Sequence, residues 1–319
     1  MVPKASSSTI RRHMQDLELT QNAGIAGLDL WSRCLLRYAR CPLSLPGRRS
    51  AFRKFRRRRK GSRFEVLTRH GFRLRGEIGD SVENQVAIFG EFEPGLSRVL
   101  KALAGSTSSF LDLGCNIGYF TCLYGVAQRR GRIVGVDANP LMAQRCQENL
   151  RLNSIDASVL NIAVGDADRQ AVLTVPRGRP TRGTIGRIDS HASGSNSITV
   201  QMRPLETILN QEHLATVDLM KVDIEGYELK LFQSLRPDLA ARFGAIVFEF
   251  SEPNLRQCGC RREEFATVTW LKQFQVFVLD EPTGRLSPLS SVDRFEAAEG
   301  TIFLQRRDAP WKLPAELST

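Results

Sequence analysis

The sequence predicts an α/β fold: a mostly parallel seven-stranded sheet with helices on both faces, preceded by a basic N-terminal extension. Three observations lead there. From Phe110 onward, short apolar runs alternate with helical patterns, as in a parallel sheet covered on both sides. Three of those runs end at an acid, Asp112, Asp137 or Asp223, so charge collects at the carboxyl edge where such sheets bind ligands. The first run also passes through Gly114 and Gly118 straight into a helix, a strand–turn–helix junction suited to a nucleotide cofactor.

The elements follow in order. Leu28–Tyr38 places Leu28, Trp31, Leu35 and Tyr38 near one helical face, and Pro42 and Pro46 end that helix. Phe64–Thr68 and Phe72–Glu77 flank His70-Gly71 and read as a hairpin. A helical stretch lies within Ser81–Leu103, and Phe110–Leu113 opens the alternating part. Ile133–Val136 is a buried strand, after which Asn139-Pro140 is an N-cap with proline at the first helical position. Val159–Val164 is the third strand. Arg177–Asn196, rich in Gly, Arg, Ser and Thr, reads as a mobile excursion. Val217–Val222, the helix Tyr227–Leu235, Ile246–Phe250, Val276–Leu279 and Thr301–Leu304 complete the pattern. The division expected is an extension over 1–61 and a catalytic domain over 62–319, with its cofactor core at about 108–280.

Charge is local. The net charge is +11, and Arg48–Arg63 alone holds ten Lys/Arg and no acid, leaving a nearly neutral body with no reason to hold a polyanion. The run, interrupted by Phe52 and Phe55 and preceded by an amphipathic helix, suits an anionic membrane surface as well as a solvated linker; nucleic acid is the weaker partner, since a charge run specifies no bases. Seven cysteines with no zinc spacing predict reduced thiols in a cytoplasm. No apolar run approaches the ~20 residues needed to span a bilayer, and no signal-peptide core is evident.

The acids narrow the chemistry. A pyrophosphate turn has no use for a carboxylate at Asp112, whereas the ammonium and sulfonium of S-adenosylmethionine (SAM) tolerate one. Asp137 then stands where an acid accepts hydrogen bonds from a ribose diol, with Ala138 and Asn139 beside it. Ile162 and Ala163, at the end of the third strand, offer an apolar face to adenine. Lys221, Asp223 and Glu225 arrive together at the end of one strand and Glu249 at the end of the next; Lys221 is expected at the cofactor, and Asp223 is the expected base with Glu249 or Glu225 assisting. A carboxylate there can orient or deprotonate a substrate hydroxyl. Magnesium also suits oxygen-rich sets, but no metal is expected. His191, in the excursion, is a further base; His13, His70 and His213 lie away from the site.

FLDLGCNIGYFT, the following VGVDANP and above all MKVDIEGYELKLFQSL (Met220–Leu235) resemble the FkbM-type methyltransferases, which pair a D-x-G-x-N-x-G turn with a K-[IV]-D-[VI]-E-G-x-E segment. The resemblance covers about 79–304 and includes FGEFEPGL (Phe89–Leu96), similar to that family's Glu-Pro entry to the first core helix. It implies a Rossmann-like class I fold and SAM-dependent methyl transfer to a hydroxyl of a sugar, glycolipid or secondary metabolite. Asp112, Gly114, Asn116 and Gly118 take the methionine-end positions, with Cys115 where the family often has alanine, and Asp137 takes the ribose position. Lys221, Asp223, Glu225 and Gly226 fall on the second motif. Two other readings stand beside it. A nicotinamide oxidoreductase would carry G-x-G-x-x-G in place of Gly114-x-x-x-Gly118, and a non-catalytic membrane- or nucleic-acid-binding adaptor would carry a broken turn.

Overall fold

The computed structural model describes residues 24–25, 29–40, 47–128, 130–176, 183–185 and 195–317. The chain divides into two compact units, 1–92 and 93–319. The first unit ends at 92, and the helix after the hairpin meets the basic helix where Phe89 stacks on Phe52.

In the first unit, helices α1 (Leu30–Arg40) and α2 (Arg48–Arg59) precede an antiparallel sheet in which β1 (Gly24–Ile25) pairs with β2 (Arg63–Leu67), and β2 with β3 (Arg73–Glu77). Helix α3 (Ser81–Phe89) follows, capped by the Asp80 carboxylate on the Ser81 N–H. The arginine run is thus a helix. Its phenylalanines face inward: Phe55 is 0% exposed and Phe52 stacks on Phe89 at 6.1 Å. Neither is open to a membrane. The apolar face expected for α1 is also rotated. Ser32, Leu35 and Leu36 are buried, at a spacing of i, i+3, i+4, while Leu30, Trp31 and Tyr38 are exposed; Leu28 lies outside the described residues.

The second unit carries an eight-stranded sheet in the order β14-β13-β15-β12-β11-β4-β5-β6. Strands β4 (Ser109–Leu113), β5 (Arg132–Val136), β6 (Ser158–Leu160), β11 (Val217–Val222) and β12 (Phe243–Ser251) run parallel to one another. Strand β15 (Glu299–Arg306) is antiparallel to both β12 and β13 (Phe274–Asp280). The eighth strand, β14 (Arg285–Leu289), was not legible because it contains Pro288, a residue confined to edges. The predicted Rossmann-like architecture stands. The strand order reverses between β4 and β11, so the crevice beyond their carboxyl ends is where a ligand belongs. On one side of the sheet Phe232, on α7 (Glu228–Ser234), meets Phe248, Phe265 and Trp270 edge to face, anchoring the helix that follows the acidic segment.

The third predicted strand is two. Its first half is β6, and Asn161 then turns its side-chain amide onto the carbonyls of Asp137 and Ala138 (2.9 and 3.1 Å), which ends the strand. Its second half, β7 (Ala163–Gly165), joins another sheet ordered β7-β10-β8-β9, with β8 (Arg169–Pro176), β9 (Thr184–Ile185) and β10 (Ser195–Pro204). Two parts of the predicted excursion are therefore ladder: Ser195 pairs with Pro176 and Asn196 with Val175, and Thr184–Ile185 (β9) pairs with β8. Residues 177–182 and 186–194, with His191, lie outside the described residues.

Candidate functional site

Two loops meet at the β4/β11 crevice, and Gly114 is what lets them. Its φ is +78°, and a Cβ there would sit 1.8 Å from the Asp223 carbonyl oxygen. The absent side chain makes room for the neighbouring strand end; the sequence reading had reserved that space for a ligand. Gly118, at φ +84°, faces Cys146 Sγ at 2.8 Å from a built Cβ and so seats α5 (Tyr119–Ala127) on α6 (Pro140–Leu152).

The turn amides are satisfied internally. Gly114 and Cys115 donate to the Val136 carbonyl (2.8 and 3.1 Å), Asn116 donates to Asp137 Oδ2 (2.8 Å), Ile117 to Asn116 Oδ1, and Gly118 to the Cys115 carbonyl. Asp112 completes the arrangement from below. It is fully buried and accepts the Thr121 hydroxyl at 2.6 Å, which ties the end of β4 to the first turn of α5. The amides of Gly114 to Gly118 thus have partners within the protein, and Asp112 is enclosed. Cys115 is likewise enclosed, its thiol against Cys146, and that contact together with burial raises its pKa well above the ordinary range.

Asp137 is the carboxylate that remains presentable. Oδ2 takes the Asn116 N–H and Oδ1 the Asn139 N–H, both at 2.8 Å, which fixes the group's plane and leaves each oxygen a further lone pair. Burial pushes its pKa up to about 6 although those two amides pull the other way. Asn139 caps α6 by accepting from Leu141, as its place before Pro140 predicts. Ala138 and Ala163 lie against the second sheet's apolar cluster, and Ala163 is buried there, so it offers adenine no free face; Ile162 is half-buried.

Lys221 is the centre of the acidic edge. It is 4% exposed, and its ammonium stands 3.1 Å from Asp223, 3.8 Å from Asp112 and 5.2 Å from the Phe120 ring centroid. Burial opposes its charge, but Asp223, Asp112 and Glu93 outweigh that and hold its pKa above the ordinary lysine value. A narrow cleft beside it is lined by Glu93, Leu96, Lys221, Asp223, Glu249 and Thr301. Asp223 and Glu249 thus come together as the sequence predicts, from adjacent strands. The Asp223 carboxylate, followed by burial and Glu225, raises the Glu249 pKa well above the carboxylate range.

Glu225 does something else. It adopts φ +54°, and its Oε2 accepts from the Asn254 side-chain amide at 3.0 Å, so it holds the turn to the segment after β12. Glu228 is buried and accepts the Ile224 N–H at 2.9 Å; burial raises its pKa to about 7. Of the acids in the second motif, only Asp223 opens on the cleft.

The residue that sequence reasoning missed is Glu93. It precedes α4 (Pro94–Ala104) at φ +40° and makes no side-chain cap, because Glu281 takes the Gly95 and Leu96 amides instead (2.9 and 3.2 Å). Freed from capping, Glu93 turns into the cleft, where burial and then the Asp223 charge raise its pKa to about 8. Its signal was the Glu-Pro pair, which reads equally as an ordinary helix entry. Among the described residues no group of three His, Cys, Asp or Glu is arranged to hold a metal ion.

A family model described as the methyltransferase FkbM domain matches residues 112–275, from the buried acid of the glycine turn to the start of β13. The chain belongs to the FkbM methyltransferase family. The match spans half of the 319 residues and leaves Glu93 outside. A curated relative, the AMB antimetabolite synthetase AmbE of Pseudomonas aeruginosa, is 22% identical over 173 residues; the match covers 44% of this chain and 8% of that much longer protein. Among solved structures, the SAH-bound methyltransferase PaMTH1 of Podospora anserina is 11% identical over 97% of this chain and 99% of its own, with a TM-score of 0.40. The Pyrococcus abyssi tRNA (uracil-54, C5)-methyltransferase, bound to S-adenosyl-L-homocysteine, is 14% identical over 76% of this chain and 44% of its own, at 0.38. Likenesses this low add nothing to the assignment, which rests on the family match. With it, the oxidoreductase reading falls.

Proposed function

We propose that the 93–319 unit takes a methyl group from SAM and transfers it to a hydroxyl oxygen of a sugar, a glycolipid or another secondary metabolite. The observation that carries the reading is the Asp137 carboxylate, immobilised by two backbone amides at the end of β5 with lone pairs to spare. A ribose diol asks for that arrangement, so Asp137 would hold the cofactor's ribose.

Bound there, SAM would supply an electrophilic methyl on a sulfonium. The chain's own residues must then handle the acceptor. An alcohol is a weak nucleophile at neutral pH, and its proton has to leave as the oxygen attacks. The cleft beside Lys221 supports this chemistry with three carboxylates. Asp223, ion-paired to Lys221, is fixed in orientation and can align the hydroxyl. Glu93 and Glu249, with pKa values raised to about 8 and about 9, largely keep their protons at neutral pH and can hydrogen-bond the acceptor, which leaves Asp223 to take the hydroxyl proton. Lys221 keeps the cluster from repelling itself apart.

The experiment is methyl transfer from isotope-labelled SAM to pooled glycans and lipids, read by mass, with Asp223→Asn and Glu249→Gln alongside. Loss of a base or of its alignment predicts turnover lower by about 10²–10⁴ with SAM affinity little changed. Label on nitrogen or carbon, with none on oxygen, would overturn the acceptor assignment.

A further inference from the structure

The first unit presents a surface for which the methyl-transfer chemistry has no use. Helix α2 buries Ala51 and Phe55, tucks in Phe52, and exposes Arg53, Lys54, Arg56, Arg57, Arg58 and Lys60. No acid occurs in the sequence between Arg48 and Arg63, and of the named cations Arg58 is paired with Asp29. Helix α1 contributes the opposite chemistry. Leu30 is 79% exposed and Trp31 58%, and Trp31, Cys34 and Tyr38 follow at i, i+3 and i+7, so they share one side of the helix.

One residue joins the two features. Asp29 caps α1 through the Ser32 N–H at 2.7 Å and simultaneously accepts Arg58 Nε at 3.3 Å. The first turn of α1, which carries Leu30 and Trp31, is therefore fixed against the C-terminal half of the arginine helix. An exposed tryptophan and leucine set beside a helix of cations match a surface that is apolar below and anionic at its rim. An RNA backbone supplies the charge but has no apolar layer for Leu30, and an acidic protein segment offers no interface for tryptophan to enter.

We propose that this face of the first unit is a docking surface for anionic lipid bilayers, with Leu30 and Trp31 entering the interfacial layer and the α2 cations meeting the headgroups. Two signals act together here, apolar insertion and electrostatic attraction, and a stable peripheral contact needs both. The proposal is independent of the identity of the methyl acceptor.

The molecule contains its own probe. Of its three tryptophans, Trp270 and Trp311 are buried at 2% and 8% exposure, so the accessible emission is that of Trp31. Full-length protein is titrated with vesicles of phosphatidylcholine alone and of phosphatidylcholine mixed with phosphatidylserine, followed by tryptophan emission and by co-sedimentation. The expected result is a blue shift and quenching by brominated acyl chains with the anionic vesicles only, weakened by added salt. Trp31→Phe abolishes the optical signal and keeps sedimentation. Leu30→Ser with Trp31→Ser lowers vesicle affinity, and so does the triple change Arg53→Gln, Arg56→Gln, Arg57→Gln. Each basic residue near an anionic surface is worth about 1 kcal/mol, or roughly fivefold, so the triple variant loses up to about a hundredfold. All these side chains are exposed, and circular dichroism confirms that the variants fold. Unchanged emission with anionic vesicles overturns the proposal. So does binding to single-stranded RNA at concentrations where vesicles do not bind.

Discussion

Replacing Lys221 by methionine isolates what the buried cation contributes. The substitution preserves length and removes the charge, so little cavity forms. What it leaves behind is Asp112, fully buried, with Oδ2 on Thr121 and Oδ1 without a hydrogen-bond partner of its own. Removing one member of a buried pair costs about 3–5 kcal/mol, because the surviving charge is stranded away from water. The Phe120 contact is a minor part of that, on the order of 1 kcal/mol. Against a typical domain stability of about 5–15 kcal/mol the loss is large. Its pH dependence follows from the carboxylate. Burial already raises the Asp112 pKa, with Lys221 opposing it, so losing Lys221 raises it further. A carboxyl whose folded pKa is raised contributes stability that is present at low pH and lost as pH rises through that pKa. The deficit of Lys221→Met is therefore smallest in acid and largest above neutrality. Urea unfolding by circular dichroism at mildly acidic and mildly basic pH measures it, with unchanged m-values as the control. Adding Asp112→Asn should recover much of the loss, since the two residues act as a pair. A deficit below about 1 kcal/mol at basic pH, or one independent of pH, would refute the reasoning.

Two further outcomes follow from the same geometry. Gly114→Ala must place a methyl group 1.8 Å from the Asp223 carbonyl at positive φ, so it should cost about 3 kcal/mol or more and separate the two site loops. Gly135→Ala, whose Cβ would meet Cys115 Sγ at 3.2 Å without a positive φ, should cost distinctly less; comparable melting points for the two would contradict that account. Glu93→Gln should make the protein more stable at alkaline pH and nearly neutral in acid. The Glu93 pKa is raised from 4.5 to about 8, so the native contribution it makes below 4.5 is lost as pH climbs to 8, and glutamine loses none of it. Thermal melts across that window test it, and parallel curves for the two proteins would count against a buried Glu93 charge.

The architecture was readable because its determinants are local. Apolar strands, the Asn139-Pro140 cap and the K-V-D-I-E-G segment each announce themselves within a few residues. The roles of individual acids were less legible, since they depend on partners far away in sequence. Glu93 is released into the cleft by Glu281, 188 positions later, and nothing near Glu93 signals it. Glu225 looks like a second catalytic acid until Asn254 is seen to hold it. Asp112 stands near the end of β4 as expected, but its burial and its bond to the Thr121 hydroxyl depend on a helix residue nine positions on. The basic run failed in the opposite way. Its composition suggested a linker or an aromatic-studded anchor, whereas the i, i+1, i+4 spacing of Ala51, Phe52 and Phe55 makes it a packed helix whose apolar insertion must come from α1.

Calorimetric titration of SAM into full-length protein, with Asp137→Ala and NAD as comparisons, bears most directly on the central claim. The account predicts one site of roughly micromolar affinity for SAM and no heat with NAD. Asp137→Ala should weaken binding through the loss of up to two charge-assisted hydrogen bonds, each worth about 1.5–3 kcal/mol at most. Absence of SAM binding to the wild-type chain, or an Asp137→Ala variant that binds it as tightly as the wild type, would contradict it.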